Sequence, residues 1–143
     1  MDKKPSLIAI VINDVIYDQR MIRICTSLSQ NFEVALWGRA KSAAVVVPQP
    51  YQQKRFRFMV NKGPLFYLMF NLRIFWKLIF SSFDVIHAVD LDTLPAAYFA
   101  CKLKGKKLVY DSHEYFTEVP ELIERPVKRA VWLRLEAYLI PKI

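Results

Sequence analysis

Apolar positions along this chain change period several times, and the changes mark out the elements. Ser6 to Ile12 is a continuous apolar run with β-branched residues, the pattern of a strand covered on both faces. Asn13 to Tyr17 make a connection, and Asp18 is placed to cap a helix running to about Gln30, in which Met21, Ile22, Ile24, Cys25 and Leu28 recur at helical spacing. Phe32 to Trp37 predicts a second strand closed by Gly38, and residues 38 to 53, with Pro48 and Pro50, a loop. Arg55 to Val60 alternates basic and apolar residues, the pattern of a strand with one wetter face.

Gly63 and Pro64 open a helix that runs through Phe80, with proline at the first helical position. A short strand over Asp84 to Ala88 follows, then a helix over Leu94 to Lys104 ended by Gly105, and a fifth strand over Lys107 to Asp111. Glu118 to Ile123 suits a short helix and Pro126 to Ile140 a final one. The order is that of an α/β, Rossmann-like, doubly wound and mostly parallel sheet with helices on both faces, and residues 1–143 make one domain.

Ligands of such sheets bind outside the carboxyl ends of the strands. Three stretches lie there: Asn13 to Arg20, His87 to Asp92 and Asp111 to Glu118. They hold both histidines and seven of the 13 acids, so the chemistry of the chain is concentrated at one end of the sheet. His87 with Asp90 is a candidate for positioning or polarising a hydroxyl, since imidazole titrates near neutrality; the local alternative is a partly buried histidine with one hydrogen-bond partner. His113, with Asp111 and Glu114, admits the same two readings, and neighbours on an extended strand cannot both face a cleft. Asp90 and Asp92 have the spacing of a weak divalent-cation site, but capping of the helix at Leu94 by Asp92 or Thr93 is the simpler assignment, and no metal is expected. No glycine occurs between Met1 and Trp37, which excludes the glycine-rich phosphate cradle of a dinucleotide-binding domain.

The composition, 54% apolar and 24% charged in 143 residues, excludes a mainly disordered chain. Cys25 and Cys101 lack metal or redox spacing and read as core thiols in a reducing compartment, and no secretion signal is apparent. The net charge of +8 is uneven: residues 51–83 carry Lys54, Arg55, Arg57, Lys62, Arg73 and Lys77 without one acid, together with ten of the chain's aromatic residues. Bases interleaved with aromatics suit an anionic membrane surface or a nucleic acid, but the nearly continuous apolar helix disfavours the second. Seventeen residues extend about 25 Å, short of a bilayer core, so the helix should not span. It either packs wholly on the sheet or shares itself between the core and a lipid surface, with Lys62, Arg73, Trp76 and Lys77 as the membrane-facing candidates.

The stretch from Asp84 to Ala97, with Lys107-Leu-Val-Tyr-Asp-Ser-His-Glu-Tyr-Phe-Thr-Glu-Val-Pro-Glu-Leu122 after it, resembles the N-terminal domain of family 4 glycosyltransferases of the two-domain GT-B type. The resemblance implies an acceptor-side half of a sugar-transferring enzyme acting on a glycan or lipid-linked acceptor. His87, Asp90 and His113 would be catalytic, and Asn13, Asp14, Asp18, Arg20, Asp92, Asp111 and Glu114 would bind the acceptor. No cofactor is implied on this domain. The nucleotide-sugar donor would be held by a C-terminal domain that the 143 residues do not include, in the same chain or a partner, so the isolated domain is expected to be inactive. Val89 stands where the family often has a second histidine. The implied location is cytoplasmic, peripheral at the inner face of the membrane.

Overall fold

The computed structural model describes residues 3–143. Five strands, β1 (Ser6–Ile10), β2 (Glu33–Arg39), β3 (Gln52–Phe56), β4 (Val85–Val89) and β5 (Lys107–Asp111), form one sheet in the order β3-β2-β1-β4-β5. Every pairing is parallel, with Ile8 opposite Ala35 on one side and Ile86 on the other. The reversal of strand order beside β1 is the Rossmann-like doubly wound topology.

The helices α1 (Gln19–Leu28), α2 (Gly63–Ile79), α3 (Leu94–Lys104), α4 (Pro120–Ile123) and α5 (Pro126–Leu139) distribute unequally over the two faces. Because side chains alternate along β1, Leu7, Ala9 and Val11 meet Met21 and Cys25 of α1, whereas Ile8 and Ile10 meet α2 and α3. The larger core lies on the second face, where Phe66, Phe70, Ile74 and Leu78 recur every four residues on α2 and are all buried. Helix α5 closes this side through Trp132, whose ring meets Tyr67 of α2 and Phe116 edge-on at 5.2 and 5.0 Å.

Most boundaries differ from the sequence expectation by one or two residues, and β3 and β2 differ in ways that matter. Strand β3 begins at Gln52 and ends at Phe56, because register with β2 sets Lys54 opposite Trp37 and Phe56 opposite Arg39, and beyond Phe56 the sheet has no more β2 to pair. Strand β2 runs through Gly38 to Arg39. Gly38 is a point of close approach: a Cβ there would stand 2.6 Å from the Asn13 carbonyl oxygen and 2.7 Å from a methyl of Val15. Gly105 does end α3, in the left-handed conformation at φ 61°.

Gly38→Ala is therefore expected to cost about 1–3 kcal/mol through overpacking against backbone. Urea unfolding of the variant checks it; an unchanged midpoint would show that β1 and β2 can move apart freely.

Candidate functional site

The candidates at the strand ends separate into local clusters. After β1, Asp14 is buried with its carboxylate fully engaged: Arg55 Nε donates to Oδ1 at 2.9 Å, Arg55 Nη2 to Oδ2 at 2.6 Å and the Lys41 backbone N–H to Oδ2 at 2.8 Å. This fork fastens the β1 loop to the edge strand β3. Burial raises the Asp14 pKa, but the Arg55 hydrogen bonds and charge and the Lys41 and Ile16 backbone groups outweigh it and hold the carboxyl below its ordinary value. Asn13 accepts through its carbonyl from the Arg39 N–H at 3.0 Å. Asp18 is the N-cap of α1, accepting from the Met21 N–H at 3.0 Å.

Arg20, His87 and Asp111 do come together. Arg20 lies in the first turn of α1 and its Nη2 donates to Asp111 Oδ2 at 2.5 Å, while His87 Nε2 is 3.3 Å from the same oxygen. Burial pushes the His87 pKa down, with Asp111 opposing. Burial pushes the other way on Asp111, yet Arg20 and His87 bring its carboxyl below the ordinary range. The three link α1, β4 and β5 across the sheet's α1 face.

Asp90 has a positive φ of 62°, which aims its carboxylate at the loop after β5. Oδ1 accepts from the backbone N–H groups of His113 at 2.8 Å and Glu114 at 3.3 Å. Burial raises the Asp90 pKa against these bonds. Asp90 thus meets the backbone of His113, not its ring, and both the His113 and Glu114 side chains are exposed. Asp92 is buried, Oδ1 has no hydrogen-bond partner among the described residues, and burial, with Asp90 adding, drives its pKa well above the carboxylate range. Thr93, not Asp92, is the N-cap of α3, and its hydroxyl turns back to the Val89 carbonyl at 2.8 Å. Asn71 of α2 bridges this corner, donating to the Asp92 carbonyl at 2.8 Å and accepting from the Ala96 N–H at 3.0 Å. Among the described residues, no three histidine, cysteine or carboxylate side chains gather in a set able to hold a metal ion.

The membrane-facing candidates divide as well. Lys62 and Lys77 are exposed, and Trp76 is 55% exposed and stacked on Phe80. Arg73 is committed elsewhere: it donates to the Arg57 carbonyl and lies over the rings of Phe56 and Phe58 at 5.4 and 5.3 Å. Sequence reasoning named Trp76 on an outer arc of α2 but not the rest of its apolar stripe. Leu65, Leu68, Leu72, Trp76 and Phe80, spaced by three and then four residues, are each more than half exposed. It also missed a cavity of about 630 Å³ between α2, the start of α3, the loop after β5 and α5. The sequence signal for the stripe was the width of the apolar arcs that Asn71, Arg73 and Lys77 leave on the helix.

No family model matches the chain, and no curated protein does. Solved structures do. Two are forms of the C-terminal domain of a hydrogenase from Pyrococcus furiosus: one is 13% identical, with a TM-score of 0.58 over 77% of this chain and 93% of that one. The other is 14% identical, with a TM-score of 0.54 over 78% and 94%. At this identity the likeness shows the fold. These comparisons overturn the identification with family 4 glycosyltransferases, and with it the sugar-transfer activity and polysaccharide-biosynthesis role. The physical reason is that a Rossmann-like sheet places carboxylates and imidazoles at its strand ends in many unrelated proteins.

Two outcomes follow from the geometry. Arg55→Met leaves Asp14 buried without its counter-ion and should cost about 3–5 kcal/mol in urea unfolding. In the parent, the stability from Asp14 is complete above the unfolded value near 3.8 and is lost as pH falls through the depressed folded value; in the variant acidification should relieve the penalty. Asp111→Asn removes both influences that raise the His87 pKa, so the imidazole should titrate further below 6.5 by NMR. A His87 value that rises in Asp111→Asn would contradict the assigned contact.

Proposed function

We propose that this domain docks peripherally on an anionic membrane surface through the outer face of α2. The observation that carries the reading is the stripe of Leu65, Leu68, Leu72, Trp76 and Phe80, exposed along a helix whose opposite face is the core. A patch of this kind on a soluble-sized domain marks a place of contact rather than a resting surface. Its flanks carry the complementary charge: Arg57, Lys62 and Lys77 are exposed and make no ion pair among the described residues, and segment 51–83 has no acid to repel anionic lipid.

No helix among the described residues is long and apolar enough to cross a membrane, so contact of this kind is made from one side. The aliphatic stripe would enter the boundary between head groups and acyl chains, with the Trp76 indole at head-group level and the lysine stems reaching outward. Each base near such a surface contributes about 1 kcal/mol, which gives reversible attachment. We assign the encounter to the cytoplasmic leaflet, whose anionic lipids match this charge. Long aliphatic side chains dominate the stripe, whereas a nucleic-acid platform would present separated aromatic faces to bases.

Co-sedimentation with phosphatidylglycerol-rich vesicles should retain the domain at low salt, and phosphatidylcholine vesicles should not. The double variant Leu72→Glu with Trp76→Glu should lose binding while keeping its circular dichroism. Lys62→Ala and Lys77→Ala should each weaken partitioning about fivefold. Equal recovery of the double variant and the parent in the vesicle pellet would refute the proposal.

A further inference from the structure

We infer that the cavity between α2 and α5 takes the alkyl chain of a single-chain anionic amphiphile. Its volume of about 630 Å³ lies within the range of small-molecule sites. Tyr67, Leu68, Phe116, Leu122, Trp132 and Leu135 give it an apolar lining. Such a lining suits a hydrocarbon chain and offers little to a sugar or a nucleotide.

Charge selects the head group. Arg125 and Lys128 line the cavity at the start of α5. The first turn of α2 borders the cavity too, through Gly63 and Pro64. Neither helix has an acid in its first turn or a side-chain cap, so the positive ends of both helix dipoles are left uncompensated by their own caps. Glu114 and Glu121 also line the cavity and are exposed, so the bases share the lining with two carboxylates and the uncapped first turns add the remaining positive character.

The inference rests on the membrane reading for its source of ligand, and the geometry connects them. Leu68 belongs both to the exposed stripe of α2 and to the cavity lining, so the apolar surface is continuous from one to the other. A chain leaving the lipid boundary would pass Leu68 on entering the domain.

Binding is tested without vesicles, using dodecanoate below its micelle concentration. Nitrogen–proton NMR should show saturable shifts at the Trp132 indole and the Asn71 side-chain amide, and dodecanoate should bind on the order of a thousandfold more tightly than hexanoate. Val131→Trp, which adds bulk at an exposed lining position, should abolish dodecanoate binding and leave vesicle co-sedimentation intact. Leu72→Glu with Trp76→Glu should do the reverse. Arg125→Ala with Lys128→Ala should weaken dodecanoate severalfold and leave uncharged dodecanol unaffected. Absence of saturable shifts in the folded parent, or equal binding by Val131→Trp, would overturn the cavity inference alone. Loss of vesicle binding in the parent would instead overturn the membrane reading.

Discussion

Helix α2 carries two apolar stripes, and the fold covers only one of them. Phe66, Phe70, Ile74 and Leu78 are removed from water by the sheet and α3, which fixes the helix in rotation and register. That same rotation forces Leu65, Leu68, Leu72, Trp76 and Phe80 outward. The domain cannot bury the second stripe by turning the helix without exposing the first. The functional proposal is a consequence of this frustration: something apolar, with anionic character to match the flanking lysines, completes the helix's surroundings.

The strand ends are dense in carboxylates, yet Asp14 is spent on Arg55, Asp18 on the first turn of α1, Asp90 on the backbone of the loop after β5, and Asp111 on Arg20 and His87. Parallel sheets need such ties because each strand enters and leaves through loops that the ladder does not hold. The bases follow the same economy, since Arg39 lies over Phe66, Lys54 over Trp37 and Arg73 over Phe56 and Phe58. What looks in sequence like a surplus of positive charge is partly the glue of the edge strand. Lys62 and Lys77 are left to face outward.

Much of the fold was legible because its signals are local. The apolar run at Ser6, the Asp18 cap and the Gly105 stop each act within a few residues, and α3 and β5 have the bounds that their patterns predict. Strand β3 was misplaced because its alternation of Arg55, Phe56, Arg57 and Phe58 continues past the point where β2 ends, and only the partner strand decides where pairing stops. The site was less legible than the fold. Spacing shows which carboxylates reach the same end of the sheet, but not that Arg55, 41 residues later, would neutralise Asp14. The Tyr110 to Glu114 string suggested a glycosyltransferase, and the fold comparisons supersede that resemblance.

The central claim is tested most directly by locating the outer face of α2 relative to lipid. Cys25 and Cys101 are buried, and burial raises their thiols to about 12 and about 11, so a nitroxide reagent should react selectively at an introduced Leu72→Cys. Electron paramagnetic resonance power saturation on phosphatidylglycerol vesicles should show that label gaining oxygen contact and losing contact with a water-soluble nickel chelate. A label at Thr26→Cys on α1 should stay in water. If the label at position 72 meets the nickel chelate equally with and without vesicles, α2 does not enter lipid and the account is wrong.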